Sequence, residues 1–155
     1  MTILLVRHAH AGARSAWDQR DSERPLSDKG RHQADALAAH VAGTRLDRVL
    51  SSAAVRCQQT VAPLAHQRDL DVEVHPAITE GATAGAATTL IRQLAADGAR
   101  AALSSHGDVI PAVLRALADD GVAVDTSHGV PKGTYYELDV TDGAVTGARF
   151  VDPRP

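Results

Sequence analysis

The stretch Ile3-Leu4-Leu5-Val6-Arg7-His8-Ala9 stands almost at the start of the chain and decides the reading of its fold. Four apolar residues run straight into an arginine and a histidine, and small residues follow at Ala9, Ala11, Gly12 and Ala13. An unbroken apolar run of this length fits a strand buried on both faces, as in a parallel sheet. Open α/β sheets place their sites beyond the strand carboxyl ends. Two cation-capable side chains delivered there suit an anionic ligand, the histidine as a nucleophile and the arginine as a clamp on phosphate oxygens.

Outward from that strand (residues 2–6), β and α patterns alternate. Residues 11–25 are polar and irregular, longer than an ordinary connection, and are expected to form a functional loop. Ser27 is a good helix N-cap with Asp28 in the first turn; Ala34, Leu37, Ala38 and Val41 mark one helical face, and Gly43 is expected to end it. A second strand is expected at 45–50, and then a helix at 53–67 with Pro63 kinking or breaking it. A short strand at 71–75, a loop at 78–85, a helix at 86–96, a strand at 99–103 and a helix at 108–118 follow, Pro111 being tolerated in the first turn of the last. Residues 134–140 and 144–151 read as a hairpin around Asp142-Gly143. The expectation is one α/β domain over 1–155: a three-layer sandwich whose largely parallel sheet is flanked by helices.

Composition sets the bounds. A chain of 155 residues buries roughly 70% of its unfolded surface without staples. A formal charge of −3 gives no general attraction to nucleic acid or to anionic membranes, so any affinity for phosphate must be local. The single Cys57 excludes an intrachain disulfide and suits a reducing compartment. No leader pattern precedes the first strand and no apolar run approaches the ~20 residues of a membrane span, so a cytoplasmic location is expected. Oligomeric state is not legible.

Three expected strand ends carry matching chemistry: Arg7-His8, Ser51-Ser52 with Arg56 after them, and Ser104 to His106. In a parallel sheet these ends share one edge, so two arginines and two histidines converge on one point and surround a tetrahedral phosphoryl group. Helix N-termini near Ala53 and Asp108 add backbone N–H donors. His10, Arg14, Arg24 and Lys132 lie in loops that either ring the mouth or are simply solvated; at the mouth they attract a substrate with more than one anionic group. Cys57 reads as a packing residue.

The motifs LVRHA at 5–9 (read here as Leu5-Val6-Arg7-His8-Ala9), SSAAVRCQQT at 51–60, ITEG at 78–81 and SSHGDV at 104–109 together resemble the histidine phosphatase superfamily, the phosphoglycerate-mutase-like fold. The resemblance runs in order along essentially the whole chain. The compact size, with Arg24-Pro25-Leu26-Ser27 after the first loop, resembles the short SixA-type branch. PLSDKGRHQA, VRCQQT, ITEG and PKGTYYEL further resemble the phosphatase domain that follows a Nudix domain in some bacterial nucleotide hydrolases; no Nudix box occurs in this sequence. The resemblance implies a phosphatase without metal or other cofactor. His8 would become phosphorylated, Arg7, Arg56 and His106 would form the phosphate pocket, and Glu80 would give a proton to the leaving group. Ser52, Arg14, Arg24 and Lys132 are further candidates for substrate contact.

Elementary chemistry agrees with those roles. Two neighbouring arginines keep an imidazole unprotonated for attack, and a protonated His106 would help the arginines stabilise the transferring group in place of a metal. The family's usual Arg-His-Gly reads Arg7-His8-Ala9 here, which crowds the backbone if a positive φ is needed. Asp18, Asp21 and Glu23 rival Glu80 as the acid, a metal site from His8, His10, His106 and Glu80 is the alternative chemistry, and a non-catalytic phospho-ligand module is the alternative class. The short loops argue against a mutase, which must hold its phosphoryl group in a closed pocket. They leave open a phosphoprotein, a nucleotide or another small phosphate as substrate.

Overall fold

Alternation of side-chain direction along the first strand organises the molecule, which a computed structural model describes over residues 2–154. Strand β1 (Thr2–Arg7) sends Ile3 and Leu5 into one apolar cluster and Leu4 and Val6 into another. On the first side lie helices α3 (Ala84–Ala96) and α4 (Val109–Asp119), through Ile91, Leu94, Ile110, Val113 and Leu117. On the other lie α1 (Asp28–His40) and α2 (Val55–His66), through Leu37, Ala38, Val61 and Leu64. Two cores separated by one sheet make the expected three-layer sandwich.

The remaining strands are β2 (Arg48–Ser51), β3 (Val72–Val74), β4 (Ala101–Ser105), β5 (Ala123–Val124), β6 (Tyr135–Thr141) and β7 (Ala144–Val151). They form one seven-stranded sheet in the order β3-β2-β4-β1-β6-β7-β5. β3, β2, β4 and β1 are mutually parallel, and β6 alone runs against its neighbours. The hairpin β6–β7 turns at Asp142 (φ 52°) and Gly143 (φ 77°), both in the left-handed region that an Asp-Gly turn needs.

Several expectations shift at the edges. β5 is a two-residue strand too short for a periodic signal. α2 runs through Pro63 to His66 rather than breaking, because Val61, Leu64 and Ala65 stay packed in the core on either side of it. The first helix ends at His40, before the Gly43 that should have closed it. The 11–25 loop holds two single 3-10 turns, Arg14–Ala16 and Asp21–Glu23. Ser27 caps α1 as expected, accepting from Gly30 N at 3.1 Å. Among the described residues no helix is long and apolar enough to cross a membrane.

Candidate active site

Because β4 lies between β2 and β1, their carboxyl ends are adjacent. The His8 N–H donates to Ser105 O at 3.0 Å and the Ser52 N–H to Ser104 O at 2.9 Å, which extends the ladder just past the strands. Beyond this edge opens a cavity of about 450 Å³ lined by Arg7, His8, Arg56, His106 and Glu80, with Arg14, Arg24, Lys132, Gly107 and Asp108 around them. The sequence-derived constellation therefore meets in one place, with the exception of Ser52.

His8 is 6% exposed, and its Nδ1 lies 2.8 Å from Ala9 O. A carbonyl only accepts, so Nδ1 holds the ring proton and Nε2 keeps its lone pair. Burial first, together with the charges of Arg56, His106 and Arg7, pushes the His8 pKa down to about 3, against the opposing pull of the Ala9 carbonyl. The nucleophile expected from sequence is thus neutral. Ala9 is not among the positive-φ residues, and its N–H donates to Thr60 Oγ1 at 2.9 Å. The alanine in place of glycine therefore causes no backbone strain.

Arg7 donates through Nη1 to Val130 O at 2.7 Å, while its buried Nε has no partner. Its guanidinium lies flat on Gly107: a Cβ there would stand 2.8 Å from Arg7 Cζ. Arg56 is 1% exposed. Its Nη1 donates to Asp21 O at 2.9 Å, and its Nη2 meets Glu80 Oε2 at 2.9 Å and Asp21 Oδ2 at 3.1 Å. Its Nε is likewise buried without a partner. Each of these two guanidinium groups keeps one unpartnered N–H, and both residues line the cavity, a donor set suited to a tetrahedral oxyanion.

His106 turns Nε2 away from the cavity, 2.8 Å from Ser52 Oγ and 3.5 Å from Cys57 Sγ, and its Nδ1 stands 3.9 Å from Glu80 Oε2. Burial, then Arg56, lowers its pKa, while Glu80, Asp108 and Asp21 pull the other way. In the free protein this environment works against the protonated form of His106 expected from sequence. A bound dianion would favour the imidazolium. Ser52 also departs from expectation: wholly buried, it supports the ring of His106 from behind and accepts from Ala54 N at 3.2 Å, so it does not line the cavity. Burial pushes the Cys57 thiol up to about 12, in keeping with a packing residue.

Glu80 follows the 3-10 turn Pro76–Ile78 and stands on the outer side, salt-bridged to Arg56 and, at 2.9 Å, to Arg14. The turn is fixed by Ser105 Oγ donating to Ile78 O at 2.6 Å and by Gly81 N–H donating to Asp108 Oδ2 at 2.9 Å. Among the rival acids, Asp21 accepts from Arg14 Nε and Arg24 Nε, both at 3.1 Å. Burial acts to raise the Asp21 pKa, but the Arg24 hydrogen bond and the charges of Arg56, Arg14 and Arg24 bring it down overall, which makes it a poor proton donor. Asp18 and Glu23 do not line the cavity. His10 is also elsewhere, its Nδ1 2.6 Å from Ser27 Oγ at the start of α1. Among the described residues no group of three or more His, Cys, Asp and Glu is placed to hold a metal ion.

Sequence reasoning missed Gly107, whose lack of a side chain makes room for Arg7; a small residue directly after a candidate histidine was the available signal. It also missed that Asp21 organises Arg14, Arg24 and Arg56, a contact between loop and helix with no local pattern.

Comparison with known proteins agrees with this geometry. Residues 3–94 match the family model of the histidine phosphatase superfamily (branch 1). The chain is 32% identical to an 8-oxo-(d)GTP phosphatase of Mycolicibacterium smegmatis over 98% of its own residues, and it spans about half (48%) the length of that relative. A structure of the protein histidine phosphatase SixA complexed with tungstate superposes with a TM-score of 0.74 at 21% identity, covering 98% of this chain and 95% of the other. A candidate SixA phosphohistidine phosphatase from Agrobacterium tumefaciens gives 0.73 at 25% identity, covering 97% and 95%. With its four motifs gathered at one sheet edge, the chain belongs to the histidine phosphatase superfamily.

Proposed function

We propose that this protein is a phosphatase that works through a phosphohistidine on His8, without a metal ion, on phosphomonoesters or phosphohistidine. The observation that carries the reading is the meeting in one cavity of His8, whose Nε2 keeps its lone pair, with Arg7 and Arg56, each of which keeps an unpartnered Nε. His8 Nε2 forms a bond to phosphorus as the P–O bond to the leaving group breaks. Arg7, Arg56 and His106 hold the three equatorial oxygens. Glu80, at the cavity mouth, is the group placed to hold a proton for the leaving oxygen. Glu80 gives that proton to the departing oxygen. It then takes one from the water that attacks phospho-His8, and inorganic phosphate leaves.

The expected substrate is a phosphorylated small molecule, a nucleotide or a phosphoprotein, in the cytoplasm, and neither nucleic acid nor a membrane is a partner. Hydrolysis of p-nitrophenyl phosphate in excess chelator, by the native chain and by His8→Ala, tests the reading. We expect turnover that survives chelation and falls at least 10³-fold in the variant. Activity restored only by Zn²⁺ or Mg²⁺ would install the metal alternative, and phosphate binding without turnover would make the chain a binding module.

A further inference from the structure

Every arginine of the cavity except Arg7 has a carboxylate partner: Arg14 has Asp21 and Glu80, Arg24 has Asp21, and Arg56 has both. Arg7 is the clamp beside His8. Lys132 also lines the cavity, yet among the described residues its side chain has neither a carboxylate nor a hydrogen-bond partner, and it is only partly exposed. Arg24, though 7% exposed, spends Nε on Asp21 and Nη1 on the carbonyls of Ala11 and Gly12, which leaves Nη2 free.

The backbone on either side of Lys132 is also tied to the nucleophile and its arginine. Arg7 Nη1 donates to Val130 O at 2.7 Å, Gly133 N–H to His8 O at 3.2 Å, and Arg7 N–H to Thr134 O at 3.0 Å. The residues flanking Lys132 are thus tied to the two that handle the phosphoryl group. A surface lysine usually keeps its ammonium in water. Here burial, then the charges of Arg7, Arg24 and Arg56, work against the protonated form, an environment that a second anion would relieve.

Resting on the phosphatase reading above, we propose that Lys132 and the free Nη2 of Arg24 form a second anion seat in this cavity. The substrate class that the seat selects is a diphosphate, whose terminal phosphoryl group is transferred while the neighbouring phosphate sits at Lys132. His8 Nε2 then forms a bond to the terminal phosphorus, the P–O bond of the anhydride breaks, and the shortened phosphate leaves with the electron pair on its oxygen. Water hydrolyses phospho-His8 afterwards, as for a monoester.

The test compares kcat/KM on ADP, AMP and p-nitrophenyl phosphate for the native chain, Lys132→Met and Lys132→Arg. We expect the native chain to favour ADP over AMP at least tenfold. Lys132→Met should lose 30-fold or more on ADP and threefold or less on the other two, while Lys132→Arg, which keeps the charge, should retain most of the ADP rate. Equal losses on all three substrates would assign Lys132 to the transferred phosphoryl group and overturn the proposal. Turnover of p-nitrophenyl phosphate without a preference for ADP would overturn it too and leave the phosphatase reading standing. No turnover of any substrate by the native chain would remove both.

Discussion

The inner and outer walls of the cavity are built differently. Arg56, His106 and His8 on the inner wall are 1%, 3% and 6% exposed, come from α2 or from the ends of β4 and β1, and each has at least one contact to backbone or to a buried side chain. On the outer wall the side chains of Arg14 and Glu80 are 62% and 43% exposed and hold each other by an ion pair between two loops. Buried, fixed charges act with full strength on a desolvated phosphoryl group, whereas exposed pairs are screened and adjust cheaply. The inner wall suits transition-state stabilisation and the outer wall suits leaving groups of varied shape. Substitutions should therefore cost most on the inside.

After His8 itself, the largest inner-wall loss is expected from Arg56→Ala. It removes the orphaned Nε donor and leaves only the exposed Arg14 between Glu80 and Asp21, so kcat/KM should fall by about 10³, on the order of 4 kcal/mol. Arg56→Lys should recover little of it, since one ammonium cannot reproduce the fork; near-native kinetics in that variant would break the contrast between the walls.

Gly107→Ala adds only a methyl group, but it would meet Arg7 Cζ at 2.8 Å and must push that guanidinium off its seat. We expect a fall of about 10²-fold in kcat/KM with little change in thermal stability, because the clash falls on a functional side chain rather than on the core. Equal losses of stability and activity would make the glycine a folding requirement instead.

The smallest of the three effects, and the most selective, belongs to Glu80→Gln on the outer wall. Single-turnover phosphorylation by an alkyl phosphate should slow by about 10²-fold, while p-nitrophenyl phosphate, whose leaving group departs unaided, should slow only a few-fold. An equal loss on both substrates would move the acid role away from Glu80. The arginine-bound Asp21 is the poorest of the alternatives.

How much of each wall was legible in the sequence follows from the same difference. Arg7, His8 and His106 sit at or just past strand ends, and Arg56 lies in the first turn of a helix, so local pattern and a parallel sheet suffice to bring them together. The Asp142-Gly143 turn and the Ser27 cap were readable for the same reason, since each is local chemistry. The outer wall depends on contacts across the chain. Asp21 reaches Arg56 across 35 positions and Arg14 reaches Glu80 across 66, and neither pairing leaves a periodic trace. Ser52 was misplaced because a strand-end serine and a pocket serine look alike in sequence; only the fold shows its hydroxyl behind His106.

The central claim is that His8 Nε2 carries the phosphoryl group between two half-reactions. Rapid acid-free denaturation during turnover of p-nitrophenyl phosphate, followed by peptide mass spectrometry at alkaline pH, where phosphohistidine survives, tests it most directly. Since burial and the neighbouring cations push the His8 pKa down to about 3, protonation of this residue should not limit label formation at mildly acidic pH. We expect one phosphoryl group on His8 and none on any residue of the His8→Ala variant. A phosphorylated residue other than His8, or steady turnover with no phosphoenzyme and full activity in His8→Ala, would contradict it.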